Sequence, residues 1–129
     1  MPQVEEIKEE HIILKNKIVD LEKVIQSKKG RDTIEILFDD FESFWKQHEL
    51  KEEKFFNEYE KSSSSFPFTK MLVSEHRELK GHWHVLKDFI KNRSDKELSI
   101  ALETDGQMIL DKFKNHIEKE DKYLDKQFN

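Results

Sequence analysis

The chain has 129 residues, enough for one continuous core, so residues 1–129 are expected to fold as a single domain. Charged residues make up 40% and hydrophobic ones 35%, with three Gly and two Pro, a balance that favours long helices over a sheet. A net charge of −5 argues against a nucleic-acid partner, the lack of Cys excludes disulfides and thiolate metal ligands, and no apolar run approaches the ~20 residues of a membrane span. The acidic start, Met1-Pro-Gln-Val-Glu-Glu6, has no apolar signal-type stretch, and together with the missing cysteines it predicts a cytoplasmic protein with no membrane contact.

The first expected helix carries a seam of Val4, Ile7, His11, Leu14, Ile18, Leu21 and Ile25, alternating steps of three and four so that one stripe faces a core. His11 stands where this pattern calls for an aliphatic side chain. Lys28-Lys29-Gly30 closes the helix with cations and a residue tolerant of positive φ. The second helix is predicted to start at Asp32, where Asp32-Thr-Ile-Glu35 reads as a capping box. Its inner stripe runs Ile34, Leu37, Phe41, Phe44, His48, Glu52, Phe55, Tyr59, flanked by Phe38, Trp45 and Phe56. Ser62 to Ser65 and Pro67 are expected to break it into a solvated turn.

The third helix begins near Pro67 to Thr69 and shows the seam Leu72, His76, Leu79, Trp83, Leu86, Ile90. Ser94-Asp-Lys-Glu97 is a second capping box and opens the fourth helix, whose stripe is Leu98, Leu102, Asp105, Ile109, Phe113, His116, Glu120, Leu124. Asp105-Gly106 marks a point of kinking or a wider turn. Four amphipathic helices with short connections predict an all-α, up-down-up-down antiparallel four-helix bundle.

Antiparallel packing brings the polar seam residues to one height. His11 and His76 lie about two turns from the starts of their helices, and Glu52 and Glu120 a similar distance from the ends of theirs, so at ~1.5 Å per residue all four fall roughly 10–15 Å from one end of the bundle. His48 and His116 sit one turn deeper. In each His-x-x-x-Glu pair, His48 with Glu52 and His116 with Glu120, the two side chains are ~40° and ~6 Å apart on the helix and point the same way. Two carboxylates in an apolar layer are costly to bury unless cations balance them. The predicted metal ligands are therefore His11, His48, Glu52, His76, His116 and Glu120. Imidazole and carboxylate without thiolate suit iron, manganese or zinc, and six residues with two bridging carboxylates suit a two-metal centre better than a closed zinc site.

The segments Glu-Glu-His11-Ile-Ile-Leu, His48-Glu-Leu-Lys-Glu52-Glu-Lys-Phe-Phe, Ser-Glu-His76-Arg-Glu-Leu and His116-Ile-Glu-Lys-Glu120-Asp, in this order along nearly the whole chain, resemble the hemerythrin-like, or HHE cation-binding, domain family. The resemblance implies a bundle around a non-haem di-iron centre. His11, His48, His76 and His116 would be terminal ligands, and Glu52 and Glu120 would bridge two iron ions, with an oxo or hydroxo group completing the bridge. The oxygen carriers of the family have His-x-x-x-His in the third helix, whereas the fourth residue after His76 here is Lys80, which cannot ligate when protonated. The likeness is thus closer to bacterial members linked to iron sensing, nitric oxide chemistry or repair of iron centres. The carriers also use His-x-x-x-x-Asp in the last helix. Asp121 holds that spacing, but a five-residue step turns ~140° from His116, so Glu120 is favoured and Asp121 is the reserve.

His82 and His84 read as surface or inter-helix residues, since one lies ~240° around the helix from His76 and the other ~12 Å along it. Lys80 reads as a solvated flank residue, with a site-mouth cation as the alternative. Glu53, Glu75 and Asp105 read as ordinary charged residues. The leading functional expectation is a monomeric di-iron protein that binds or senses a small diatomic ligand (oxygen or nitric oxide) or iron itself. The alternatives are a di-iron enzyme that reduces nitric oxide or peroxide, or repairs iron centres, with an external electron donor, and a metal-free helical interaction module.

Overall fold

The computed structural model describes residues 2–27, 30–63 and 68–128. Among these residues the chain forms four antiparallel rods and no strand: α1 (Pro2–Ser27), α2 (Arg31–Ser63), α3 (Phe68–Asn92), and a fourth rod made of α4 (Asp95–Ala101), a π-helical turn (Leu102–Gly106) and α5 (Gln107–Phe128). α1 packs on α2 and α5, and α3 packs on α2, α4 and α5, so the rods follow one another around a square as the up-down-up-down order requires. No helix among the described residues is long and apolar enough to cross a membrane.

The α1 seam is buried at every predicted position, His11 included. The Ser94 cap also forms, with the Glu97 amide donating to Ser94 Oγ at 3.2 Å. Three details differ from the periodic reading. α2 begins at Arg31, with the Ile34 amide donating to the Gly30 carbonyl at 3.2 Å, so Asp32 lies in the first turn instead of capping it. The buried stripe of α2 is turned toward Phe38 and Trp45, which are fully packed, while Leu37, Phe44 and Tyr59 are only half-buried. The π turn takes up an extra residue, which carries Asp105 to the exposed side and puts Gly106 in the core in its place. Ser62 and Ser63 continue α2; Ser64, Ser65 and Pro67, like Lys28 and Lys29, lie outside the described residues.

The apolar interior is in two parts. The larger cluster joins Leu14 to Ile25, Ile34 to Trp45, Leu79 to Ile90 and Leu98 to Ile117. The smaller joins Val4, Ile7, Phe55, Phe56, Phe68, Leu72 and Leu124 at the opposite end. Arg31 ties the first end together, donating to the carbonyls of Ile90 and Arg93 at the close of α3 and to Asp95 at 3.1 Å. Between the two clusters each of the four rods contributes polar residues to one layer.

Candidate metal centre

That layer contains all six residues singled out by the sequence, and each is 5% exposed or less. His11 comes from α1, His48 and Glu52 from α2, His76 from α3, and His116 and Glu120 from α5. Apolar seam residues flank them on each helix, such as Ile7 and Leu14 about His11 or Leu72 and Leu79 about His76, so the helix that buries those residues must bury the polar ones as well.

The six residues form two groups of four. His11, His48, Glu52 and Glu120 offer atoms all within 4.8 Å of one another, and so do Glu52, His76, His116 and Glu120. Glu52 and Glu120 belong to both. The rings pair accordingly, His11 against His48 and His76 against His116, each with centroids 4.9 Å apart.

Each imidazole turns Nε2 inward. His11 Nε2 lies 2.9 Å from Glu52 Oε2 and 3.4 Å from Glu120 Oε1. His48 and His76 approach Glu52 Oε1 at 3.1 and 3.3 Å, and His116 approaches Glu120 Oε1 at 3.1 Å. Most of these approaches are not hydrogen bonds: Nε2 of His48, His76 and His116, Glu52 Oε1 and both oxygens of Glu120 are buried without a hydrogen-bond partner. Buried polar atoms left so are expensive. Their spacing has a simple account, because two donors bound to one cation at ~2.1 Å stand ~3.0 Å apart at right angles and ~3.4 Å apart in a tetrahedron. The donor set fits a pair of cations.

Each imidazole also turns Nδ1 outward to a carboxylate. Nδ1–H of His11 donates to Asp121 at 2.5 Å, of His48 to Glu10 at 2.7 Å, of His76 to Glu53 at 2.9 Å and of His116 to Glu75 at 2.8 Å. Such bonds orient the ring and leave the Nε2 lone pair for a metal. They also close a ring around the bundle. Glu10 precedes His11 but reaches His48 on α2; Glu53 follows Glu52 but reaches His76 on α3. Glu75 precedes His76 but reaches His116 on α5, and Asp121 follows Glu120 but reaches His11 on α1. A residue next to a seam position is turned ~100° from it and faces the adjacent helix.

Glu53 and Glu75 are therefore not ordinary surface charges, as the sequence reading had them, and Glu10 escaped that reading altogether. The signal available was an acidic residue directly beside His11, Glu52, His76 and Glu120. Asp121, the reserve ligand, stays at the rim behind His11, while Glu120 points inward. His82 lies between α3 and α5, 3.4 Å from Lys112 Nζ, and His84 is exposed, so neither reaches the layer. Lys80 is exposed and lines the mouth of a cavity between α2 and α3.

The charges lock together. Burial opposes a charged His11, but the carboxylates of Asp121, Glu120 and Glu52 around the ring outweigh this and raise it to about 11. His76 is raised to about 9 against the same burial penalty, chiefly by Glu52. Burial likewise pushes the Glu52 carboxyl up, but His11, His48 and His76 overcome it and hold it well below the usual carboxylate range. On the side of the large core, the Trp45 ring closes the layer, 5.8 Å from His48, 5.5 Å from His76 and 5.8 Å from His116.

Residues 3–126 match the family model described as the hemerythrin HHE cation binding domain. No curated protein and no solved structure matches the chain.

Proposed function

The chain belongs to the hemerythrin HHE cation-binding family, and from that premise we propose that it holds two iron ions in the polar layer and binds or senses a small diatomic ligand there, oxygen or nitric oxide. The reading rests on one observation above the others: Glu52 and Glu120 are shared between two otherwise separate histidine pairs. Shared carboxylates are what a bridged two-metal centre needs and what two independent structural sites would not.

In this reading His11 and His48 serve one metal, His76 and His116 the other, and Glu52 and Glu120 span both. Bound iron would supply a redox-active centre able to take up a diatomic molecule. The protein's part is to fix the four Nε2 lone pairs through the outer carboxylates, to neutralise the cations with two glutamates, and to exclude water with Trp45 and the apolar clusters on either side. Four residues after His76, where the oxygen carriers of the family have a further histidine, this chain has the exposed Lys80, whose ammonium would not ligate a metal.

Elemental analysis of untagged protein, followed by anaerobic loading with ferrous iron, tests the reading. About two irons per chain, with an absorption spectrum that changes on adding nitric oxide, is the expected result. His48→Ala should lower metal content and thermal stability together. Failure to take up any metal, or tight zinc with no response to a diatomic ligand, would overturn it.

A further inference from the structure

The two histidine pairs share Glu52 and Glu120 and have two imidazoles each, so their inner donors are alike in kind. The carboxylates outside them are not alike. Glu10 accepts from His48 Nδ1–H through Oε1 and from Lys51 through Oε2. Glu75 accepts from His116 through Oε1 and from Lys119 through Oε2 at 2.6 Å. Asp121 accepts from His11 through Oδ1, and Lys15 lies 3.7 Å from its Oδ2. Glu53 accepts from His76 through Oε2 at 2.9 Å, and among the described residues it has no Lys or Arg within ion-pair distance. A second carboxylate stands there instead, Glu49, 4.0 Å from His76 Nδ1.

The difference is unevenly shared between the pairs. Behind His11 and His48, the carboxylates of Asp121, Glu10 and Glu6 face two lysines, since Lys51 also bonds Glu6. Behind His76 and His116, the carboxylates of Glu49, Glu53 and Glu75 face Lys119 alone among the described residues.

Two effects follow, and they have the same sign. A carboxylate that also bonds a lysine is a weaker acceptor for the imidazole N–H, so the inner nitrogen of that ring is a weaker donor to a cation. The ammonium group also repels a cation in the layer directly, and burial of the layer limits the screening. The lysines themselves reach solvent, which keeps the contribution of each one modest.

We propose that the two metal positions are unequal: the His76–His116 position fills first and the His11–His48 position second, with Lys51, Lys15 and Lys119 setting the order as positioning residues of the outer ring. The inference rests on the two-metal reading of the layer. Loss of an outer partner costs about 10–100-fold in metal affinity; a lysine only weakens the partner, so a preference of roughly three- to tenfold is expected.

The test is a titration of chelator-stripped, ¹⁵N-labelled protein with ¹¹³Cd, read from the couplings between cadmium and the histidine Nε2 atoms. Below one cadmium per chain, couplings should appear first on His76 and His116, and on His11 and His48 only later. Lys51→Met relieves the slower position and should narrow the gap. Lys119→Met relieves the faster one and should widen it. Both variants remove the same charge from a half-exposed site, so a general change in stability would not move the order in opposite directions. Couplings growing in step on all four histidines, or filling of the His11–His48 position first, would overturn the proposed order and leave the centre intact. Shifts of the same sign in the two variants would do so as well. No cadmium uptake, or a single cadmium coupled to all four histidines at saturation, would overturn the two-metal reading itself, and the order with it.

Discussion

Glu52 on α2 and Glu120 on α5 are common to both histidine pairs, while no histidine is. The two carboxylates therefore differ in kind from the four imidazoles, and removal of one type or the other should have different consequences.

His48→Ala deletes a donor from one group only, so about one metal per chain should remain. Glu52→Ala deletes a donor from both and should leave close to none. Metal analysis on protein shown to be folded by circular dichroism decides the matter. Equal losses in the two variants would mean that the groups do not act as a bridged pair.

The raised His11, His76 and His116 and the lowered Glu52 make stripped protein depend on pH in a definite sense. His11 and His76, raised from 6.5 to about 11 and about 9, contribute stability that is complete below pH 6.5 and is lost as pH rises through those values. His116, raised by Glu120 and Glu75 in spite of burial, acts in the same direction. Glu52, lowered from 4.5, contributes stability that is present above pH 4.5 and is lost as pH falls. Thermal midpoints of chelator-treated protein should thus peak between pH 4.5 and 6.5 and decline toward pH 9 and above. Metal loading should reverse the alkaline decline, since ligating imidazoles must give up their protons. A midpoint that climbs steadily from pH 6 to 9 without metal would contradict the locked-charge account.

Gly81 lies in the interior of α3, exposed, with nothing within 4 Å of where a Cβ would sit. Gly81→Ala should therefore stabilise the fold by about 0.8–1.0 kcal/mol, the difference in helix propensity, without changing metal content. Chemical denaturation of stripped wild type and variant measures it. A destabilised variant would show that the glycine serves a contact or motion not visible in its surroundings.

Much of this was legible before folding because helical period and chain length carry it. Steps of three and four put His11, His48, His76 and His116 on buried faces, and counting residues from the expected helix ends set them at one height. The same counting failed where the helix departed from regularity. The π turn at Leu102–Gly106 moved Asp105 out of the seam, and the bundle turned α2 toward Phe38 and Trp45. A periodic pattern fixes a face only to within the width of its apolar stripe; the neighbours decide the rest.

The sequence by itself therefore determined the helices, their order and the six inward residues, since each follows from rotation and rise within one helix. Only the tertiary structure decided which carboxylate stands behind which histidine. Glu10, Glu53, Glu75 and Asp121 each sit beside a site residue on their own helix and serve a histidine on the next, a pairing that exists only once the rods are set side by side. It also decided that Lys51, Lys119 and Lys15 stand against the outer carboxylates Glu10, Glu75 and Asp121. Contacts within a helix follow from spacing along the chain, whereas contacts between helices depend on which faces meet, and that is settled by packing.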